Sequence, residues 1–169
     1  LIFAASRALS MPRNLSLALP DERATLALGE ALAAGAANGL VLHLSGDLGT
    51  GKTTLVRGFL RALGYPGRVK SPSYTLVEPY KVSSLNLYHF DFYRFKDRTE
   101  WLSTGFREHF GPESLCIVEW PERAAGLLEP PDLEIRLEIA EPGRGALLAA
   151  HTAAGEAWLE SASRRWRSR

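Results

Sequence analysis

The stretch GDLGTGKTTL, residues 46 to 55, decides how this chain is read. It fits the pattern G-x-x-x-x-G-K-S/T, with Gly46, Gly51, Lys52 and Thr53 at the fixed positions. Each residue type has a physical task in such a pattern. Glycines let successive backbone N–H groups converge on an anion, where side chains would block the approach. A helix starting at Lys52 adds unpaired N–H groups and the positive end of its dipole. Lys52 can then reach β- and γ-phosphates, while the Thr53 hydroxyl is placed to bind Mg²⁺. The candidate nucleotide-binding residues of this segment are Asp47, Leu48, Gly49, Thr50, Gly51, Lys52, Thr53 and Thr54.

The flanks agree with that reading. GLVLHLSG, residues 39 to 46, is a short apolar run that reads as a buried strand and feeds straight into the loop. From Lys52 onward, Leu55, Phe59, Leu60 and Leu63 recur at spacings of three and four, and Gly64 ends the pattern. Upstream, Leu26, Leu28, Leu32 and Ala33 predict a helix entered at Pro20 and Asp21. Downstream, VKSPSYTLVEPY predicts a loop running into a strand. In SLNLYHFDFYRF, Leu85, Leu87 and His89 alternate with Asn86, Tyr88 and Phe90, predicting a second strand antiparallel to it.

TEWLSTGFREHF predicts short helical pieces. The apolar run Leu115 to Val118, ending in Glu119, suits a strand buried on both faces. Pro121 favours the first turn of a helix PERAAGLL. DLEIRLEIA and RGALLAAHT read as a hairpin pair, followed by a short helix and an Arg-rich tail. The expected architecture is α/β, a P-loop NTPase fold whose mixed parallel/antiparallel sheet is flanked by helices. It is expected as one domain over 19–163, with 1–18 an unstructured or upstream extension and 164–169 the tail.

Length and composition narrow the function classes. A chain of 169 residues favours one domain, and 46% hydrophobic with 23% charged residues is ordinary for a soluble globule. The net charge of +1 argues against a dedicated nucleic-acid binder. Cys116 is the only cysteine, which excludes an intramolecular disulfide and a Cys-based zinc cluster, and fits a reducing compartment. No apolar run approaches the roughly 18 residues that span a bilayer. The apolar start Leu1 to Ala5 has no basic stretch before it and is interrupted at Arg7, unlike a signal peptide. Met11, the only methionine, is the expected natural start, and the cytoplasm is the expected location.

Phosphoryl chemistry needs an acidic residue near the metal, usually at the carboxyl end of a neighbouring strand. Asp91 and Glu119 are the candidates, either to hold Mg²⁺ directly or through water, or to orient an attacking water. Ser71, Ser73 and Thr75 in SPSYT could close over a γ-phosphate, against the plainer reading of a proline-containing turn. Arg57 and Arg94 could balance phosphate charge or be surface arginines. No arginine is an evident internal finger, so hydrolysis is expected to be slow until a partner binds. His43 and His89 read as satisfied, half-buried strand residues. Trp158, Trp166 and the terminal arginines could stack on RNA, although a frayed terminus is the plainer reading. The lack of an N-K-x-D tetrapeptide favours ATP over GTP.

Taken together, GDLGTGKTTLVRGFL, VKSPSYTLVEPY, YHFDFYR and VEWPE, in this order and spacing, resemble the TsaE family, small bacterial ATPases of tRNA threonylcarbamoyladenosine biosynthesis. The resemblance runs from about Leu19 to Ile139. It implies ATP and Mg²⁺ as cofactors and an accessory role. In such systems TsaD, paired with TsaB, attaches the threonylcarbamoyl group to adenosine 37 of tRNA. The TsaE-like ATPase docks on that pair for repeated turnover and meets tRNA only through it. Carried over by motif, Lys52 and Thr53 hold phosphates and metal, and Asp91 and Glu119 form the acidic side of the Mg²⁺ site. That makes Lys52, Asp91 and Glu119 the catalytic set, with Ser73 and Trp120 close to the nucleotide or the partner. The family commonly has threonine where this chain has Ser73 and often alanine at Thr50, and nothing after Glu141 matches a motif. Two other readings use the same loop. One is a small-metabolite kinase, which should carry an arginine-bearing lid, whereas Arg123 is the only arginine between Arg107 and Arg136. The other is a nucleotide-gated interaction module with negligible hydrolysis.

Overall fold

A computed structural model describes residues 13–169. The expectations for residues 1–12, the Met11 start among them, lie outside the described residues. The seven strands are β1 (Asn14–Leu19), β2 (Val41–Ser45), β3 (Val77–Val82), β4 (Leu85–Asp91), β5 (Leu115–Glu119), β6 (Leu133–Ala140) and β7 (Gly143–Ala150). They form one sheet in the order β1-β7-β6-β2-β5-β4-β3. The central strands β6, β2, β5 and β4 run parallel, while β7 and β3 pair antiparallel on either side. This is the mixed sheet that the sequence predicts, including the antiparallel β3–β4 pair.

Four helices, α1 (Glu22–Ala33), α2 (Lys52–Ala62), α3 (Arg98–Thr104) and α4 (Ala153–Arg167), flank it, with 3-10 turns at Phe106–His109 and Pro121–Ala124. Asp21 caps α1, its side chain accepting from the Ala24 N–H at 2.9 Å, so the Pro20–Asp21 entry is where the sequence places it. Leu28 and Leu32 of α1, Leu55, Phe59 and Leu60 of α2, and Trp158 and Leu159 of α4 are buried with Leu42, Leu44, Leu133 and Ile135 of the sheet. The second core lies on the other face, where Phe90 and Phe92 pack with Phe106, Trp101 and Phe110. No helix among the described residues is long and apolar enough to cross a membrane.

A pair of glycines sets how closely α1 and α2 approach. A Cβ on Gly29 would stand 2.2 Å from the Leu55 carbonyl oxygen, and one on Gly58 would stand 2.2 Å from that of Leu26. Any larger side chain there would push the helices apart. The crossing therefore fixes α2, and with it the loop at its start.

Three boundaries differ from the sequence reading. Residues 14–18 are not an extension: they form most of β1, paired antiparallel to β7 from Asn14↔Ala149 to Leu19↔Arg144. The helix expected over PERAAGLL is one 3-10 turn ending at Ala124. The closing helix is long, and it absorbs the expected tail as far as Arg167. Thr152 caps it through Gly155 N–H, and Trp158 Nε1 donates to the Leu32 carbonyl at 2.8 Å, tying α4 to α1.

Candidate nucleotide and metal site

The loop leaves β2 at Ser45 and enters α2 at Lys52, turning through Gly46, Gly49 and Gly51 at φ of 137°, 79° and 104°. Left-handed backbone at Gly51, the N-cap of α2, comes without strain only because there is no Cβ. Thr50 Oγ1 donates to the Asp47 carbonyl at 2.9 Å and braces the loop from within, while Arg144 of β7 donates to the Gly49 carbonyl at 3.0 Å from outside. Asp47, Leu48 and Gly49 are exposed at the loop's tip.

Lys52 is buried, with its ammonium donating to the carbonyls of Gly46 at 2.5 Å and Asp47 at 2.9 Å. The same Nζ lies 4.4 Å from the centre of the Trp120 ring. Burial pulls the Lys52 pKa down, opposed by the carboxylates of Glu119 and Asp91. Trp120 itself sits at φ 57°, a left-handed conformation that is uncommon for an aromatic residue and turns the chain sharply after β5.

The acidic residues arrive by register. Asp91 ends β4, Glu119 ends β5, and the two are paired across neighbouring parallel strands; Leu44 of β2 pairs with Glu119 from the other side. Carboxyl ends of adjacent parallel strands are where open α/β sheets place their ligands. Glu119 Oε1 accepts from Thr53 Oγ1 at 2.9 Å, and Ser71 Oγ donates both to Asp91 and, at 3.3 Å, to Glu119 Oε2. Asp91 Oδ1 also accepts from the Tyr93 N–H at 2.9 Å. Burial raises the Asp91 pKa. Burial pushes Glu119 the same way, but the His89 imidazole 3.5 Å away and the contacts with Asp91 and Thr53 outweigh it and hold Glu119 below the usual carboxylate range. Asp91 is thus the member of the pair that keeps a proton longer.

One hydroxyl and two carboxylates in contact make a hard oxygen donor set, which suits Mg²⁺. Among the described residues no group of three or more His, Cys, Asp or Glu is placed to hold a metal ion. Lys52, Thr53, Asp91 and Glu119 line a hollow of about 450 Å³, walled also by Leu48, Gly49, Gly51, Thr54, Ser73, Tyr93, Arg94 and Trp120. Of the expected nucleotide- and metal-binding residues Asp47 to Thr54, Ser73, Asp91, Glu119 and Trp120, only Asp47 and Thr50 stay outside it. Across the loop lies a second hollow of about 360 Å³, between Thr25 of α1 and Arg144 of β7. A larger one, about 840 Å³, runs between the 3-10 turn after Trp120 and the acidic side chains of β6. It reaches the loop through Gly46, Asp47 and Thr50 but contains neither Lys52 nor the carboxylate pair.

Several side chains stand differently from the sequence reading. Of the three hydroxyls in SPSYT, Ser71 touches the carboxylates; Ser73 lines the hollow and Thr75 is exposed on the outer side of the loop. Arg57 leans towards Glu22 at 3.8 Å, and Arg94 stacks on Tyr74 at 4.4 Å from the ring centre. His43 and His89 are not half-buried and satisfied. They are 8% and 0% exposed, and His43 Nε2 and both His89 nitrogens lack a hydrogen-bond partner. Arg144 and Thr25 carried no sequence signal, because only tertiary contacts bring them to the loop.

The family model for "Threonylcarbamoyl adenosine biosynthesis protein TsaE" matches residues 19–146. The chain is 38% identical over 148 residues to a tRNA threonylcarbamoyladenosine biosynthesis protein TsaE of Haemophilus influenzae, covering 85% of this chain and 94% of that protein. It is 42% identical over 120 residues to the protein of the same name from Bacillus subtilis, 71% of each chain. Its backbone is similar to the crystal structure of Bacillus subtilis YdiB, with a TM-score of 0.77 and 32% identity, over 89% of this chain and 95% of that one.

Proposed function

The chain belongs to the TsaE family of threonylcarbamoyladenosine biosynthesis, and we propose that it is a Mg²⁺-dependent ATPase serving a TsaD–TsaB type transferase pair. Its part in tRNA modification follows from the family; the nucleotide, the metal and the partner are our reading. The observation that carries it is the convergence of Lys52 and Thr53, from the glycine-rich loop, on Asp91 and Glu119 at the ends of two neighbouring strands.

The chain's own groups can do the following. Backbone N–H groups of the loop and the first turn of α2 receive phosphate oxygens. Lys52, whose ammonium donates to the Gly46 and Asp47 carbonyls, would turn its charge to the β- and γ-phosphates of a bound nucleotide. Thr53, Asp91 and Glu119 would hold the metal, which would supply charge neutralisation to the bound phosphates. Ser71, already on both carboxylates, is positioned to keep them in place. The hollow beside Thr25 and Arg144 offers room for the remainder of the nucleotide on the far side of the loop.

Arg94 and Arg123 both lie over aromatic rings, Tyr74 and Tyr93 respectively, rather than over the carboxylate pair. This supports slow turnover by the chain alone and acceleration by a partner. The cytoplasm is the proposed place of action, where tRNA and the transferase pair are found together. In a reconstituted reaction with the transferase pair, tRNA and its threonylcarbamoyl donor, we expect several rounds of product per transferase only with this chain and hydrolysable ATP. Product limited to a single round, with or without the chain, would contradict the proposal.

A further inference from the structure

His89 is the buried group that the site, as described, leaves unused. It lies on β4 two residues before Asp91, paired with Ile117 of β5 two residues before Glu119. Side chains two apart on a strand share a face, so His89, Asp91, Ile117 and Glu119 form a four-cornered patch beneath the loop. The imidazole is 0% exposed, and neither nitrogen has a hydrogen-bond partner. A buried polar group left unpaired is costly, and an aliphatic side chain would fill this space without that cost. Glu119 Oε1 lies 3.5 Å from His89 Nε2 and is the same oxygen that takes the Thr53 hydroxyl at 2.9 Å.

We propose that His89 is a positioning residue for Glu119: Nε2–H, fixed beneath the carboxylate, sets the orientation in which Glu119 meets the metal. The inference rests on the ATPase reading above. A carboxylate drawn towards a cation keeps its direction only if its remaining lone pairs are held, the role that outer donors play around metal ligands. The Thr53 hydroxyl cannot fill that role once it turns to the metal. His89 can, because strands on both sides pin its backbone and no solvent reaches its ring. The gap of 3.5 Å closes by a small movement of Glu119, since site hydrogen bonds tighten when the ligand arrives.

Two variants with similar polarity separate this from a packing role. His89→Gln can return an N–H donor to the Nε2 position; His89→Asn ends too short to reach it. The measurement is calorimetric binding of a non-hydrolysable ATP analogue, with Mg²⁺ and with a chelator, on purified protein of confirmed fold. His43→Gln, at the other buried imidazole, is the matched control. In the wild type, His43→Gln and His89→Gln, Mg²⁺ should tighten binding to a similar degree. In His89→Asn that tightening should fall by about tenfold or more, the usual scale for a lost outer donor, with metal-free affinity unchanged. Equal Mg²⁺ coupling in His89→Asn and His89→Gln would overturn the inference while leaving the ATPase reading standing. A wild type whose nucleotide binding ignores Mg²⁺ would overturn both.

Discussion

Thr53 Oγ1 donates a 2.9 Å hydrogen bond to Glu119 Oε1, joining the first turn of α2 to the end of β5. Two groups proposed to share a cation are thus already in contact, so little reorganisation is left for the ligand to drive. Replacing Glu119 by Gln keeps the shape and the hydrogen bond from Thr53 but removes the charge. We expect Glu119→Gln to retain nucleotide binding within a few-fold and to lose about a hundredfold or more in partner-stimulated turnover, the scale of a lost electrostatic group. Turnover and analogue binding measured on the same preparation check this. Intact turnover would remove Glu119 from the site.

The α1–α2 crossing predicts a stability effect away from the chemistry. Gly58→Ala would place a methyl 2.2 Å from the Leu26 carbonyl oxygen, so the helices must shift. Overpacking of this kind costs about 1–3 kcal/mol. Urea unfolding should show a lower midpoint at similar slope. An unchanged midpoint would mean that the crossing is looser than described.

Acid sensitivity should trace in part to His43. Burial lowers its pKa from 6.5 to about 4, with the nearby Glu134 carboxylate opposing the shift only partly. Above pH 6.5 the residue is neutral folded and unfolded, and contributes nothing. Between pH 6.5 and about 4 the unfolded chain binds a proton that the folded one refuses, so stability falls as pH falls. At full effect the loss is about 3 kcal/mol. Denaturant midpoints across pH 7.5 to 4.5 should decline less steeply in His43→Gln than in the wild type. Parallel curves would contradict this assignment.

What was legible in the sequence followed from how local each signal is. The loop's groups lie within one contiguous stretch, and Asp91 and Glu119 stand at the ends of apolar runs that could only be strands. Strand β1 was not legible because its partner, β7, lies at the far end of the chain, and NLSLAL alone does not announce an edge strand. The Arg-rich terminus read as frayed because its residues are charged; Trp158 and Leu159, earlier in the same helix, anchor it in the core. Gly29 and Gly58 look like helix weaknesses until the two helices are seen crossing there. His89 fits its strand pattern, and no pattern reveals that its nitrogens lack partners or that Glu119 stands above it.

Steady-state ATP and GTP hydrolysis by the chain alone and with the TsaD–TsaB pair, with Lys52→Ala as control, separates a partner-driven ATPase from a passive nucleotide binder. We expect slow ATP turnover alone, strong stimulation by the pair, little activity on GTP, and loss of about 10²–10³-fold in Lys52→Ala. ATP bound tightly but hydrolysed no faster with the pair than without it would contradict the account.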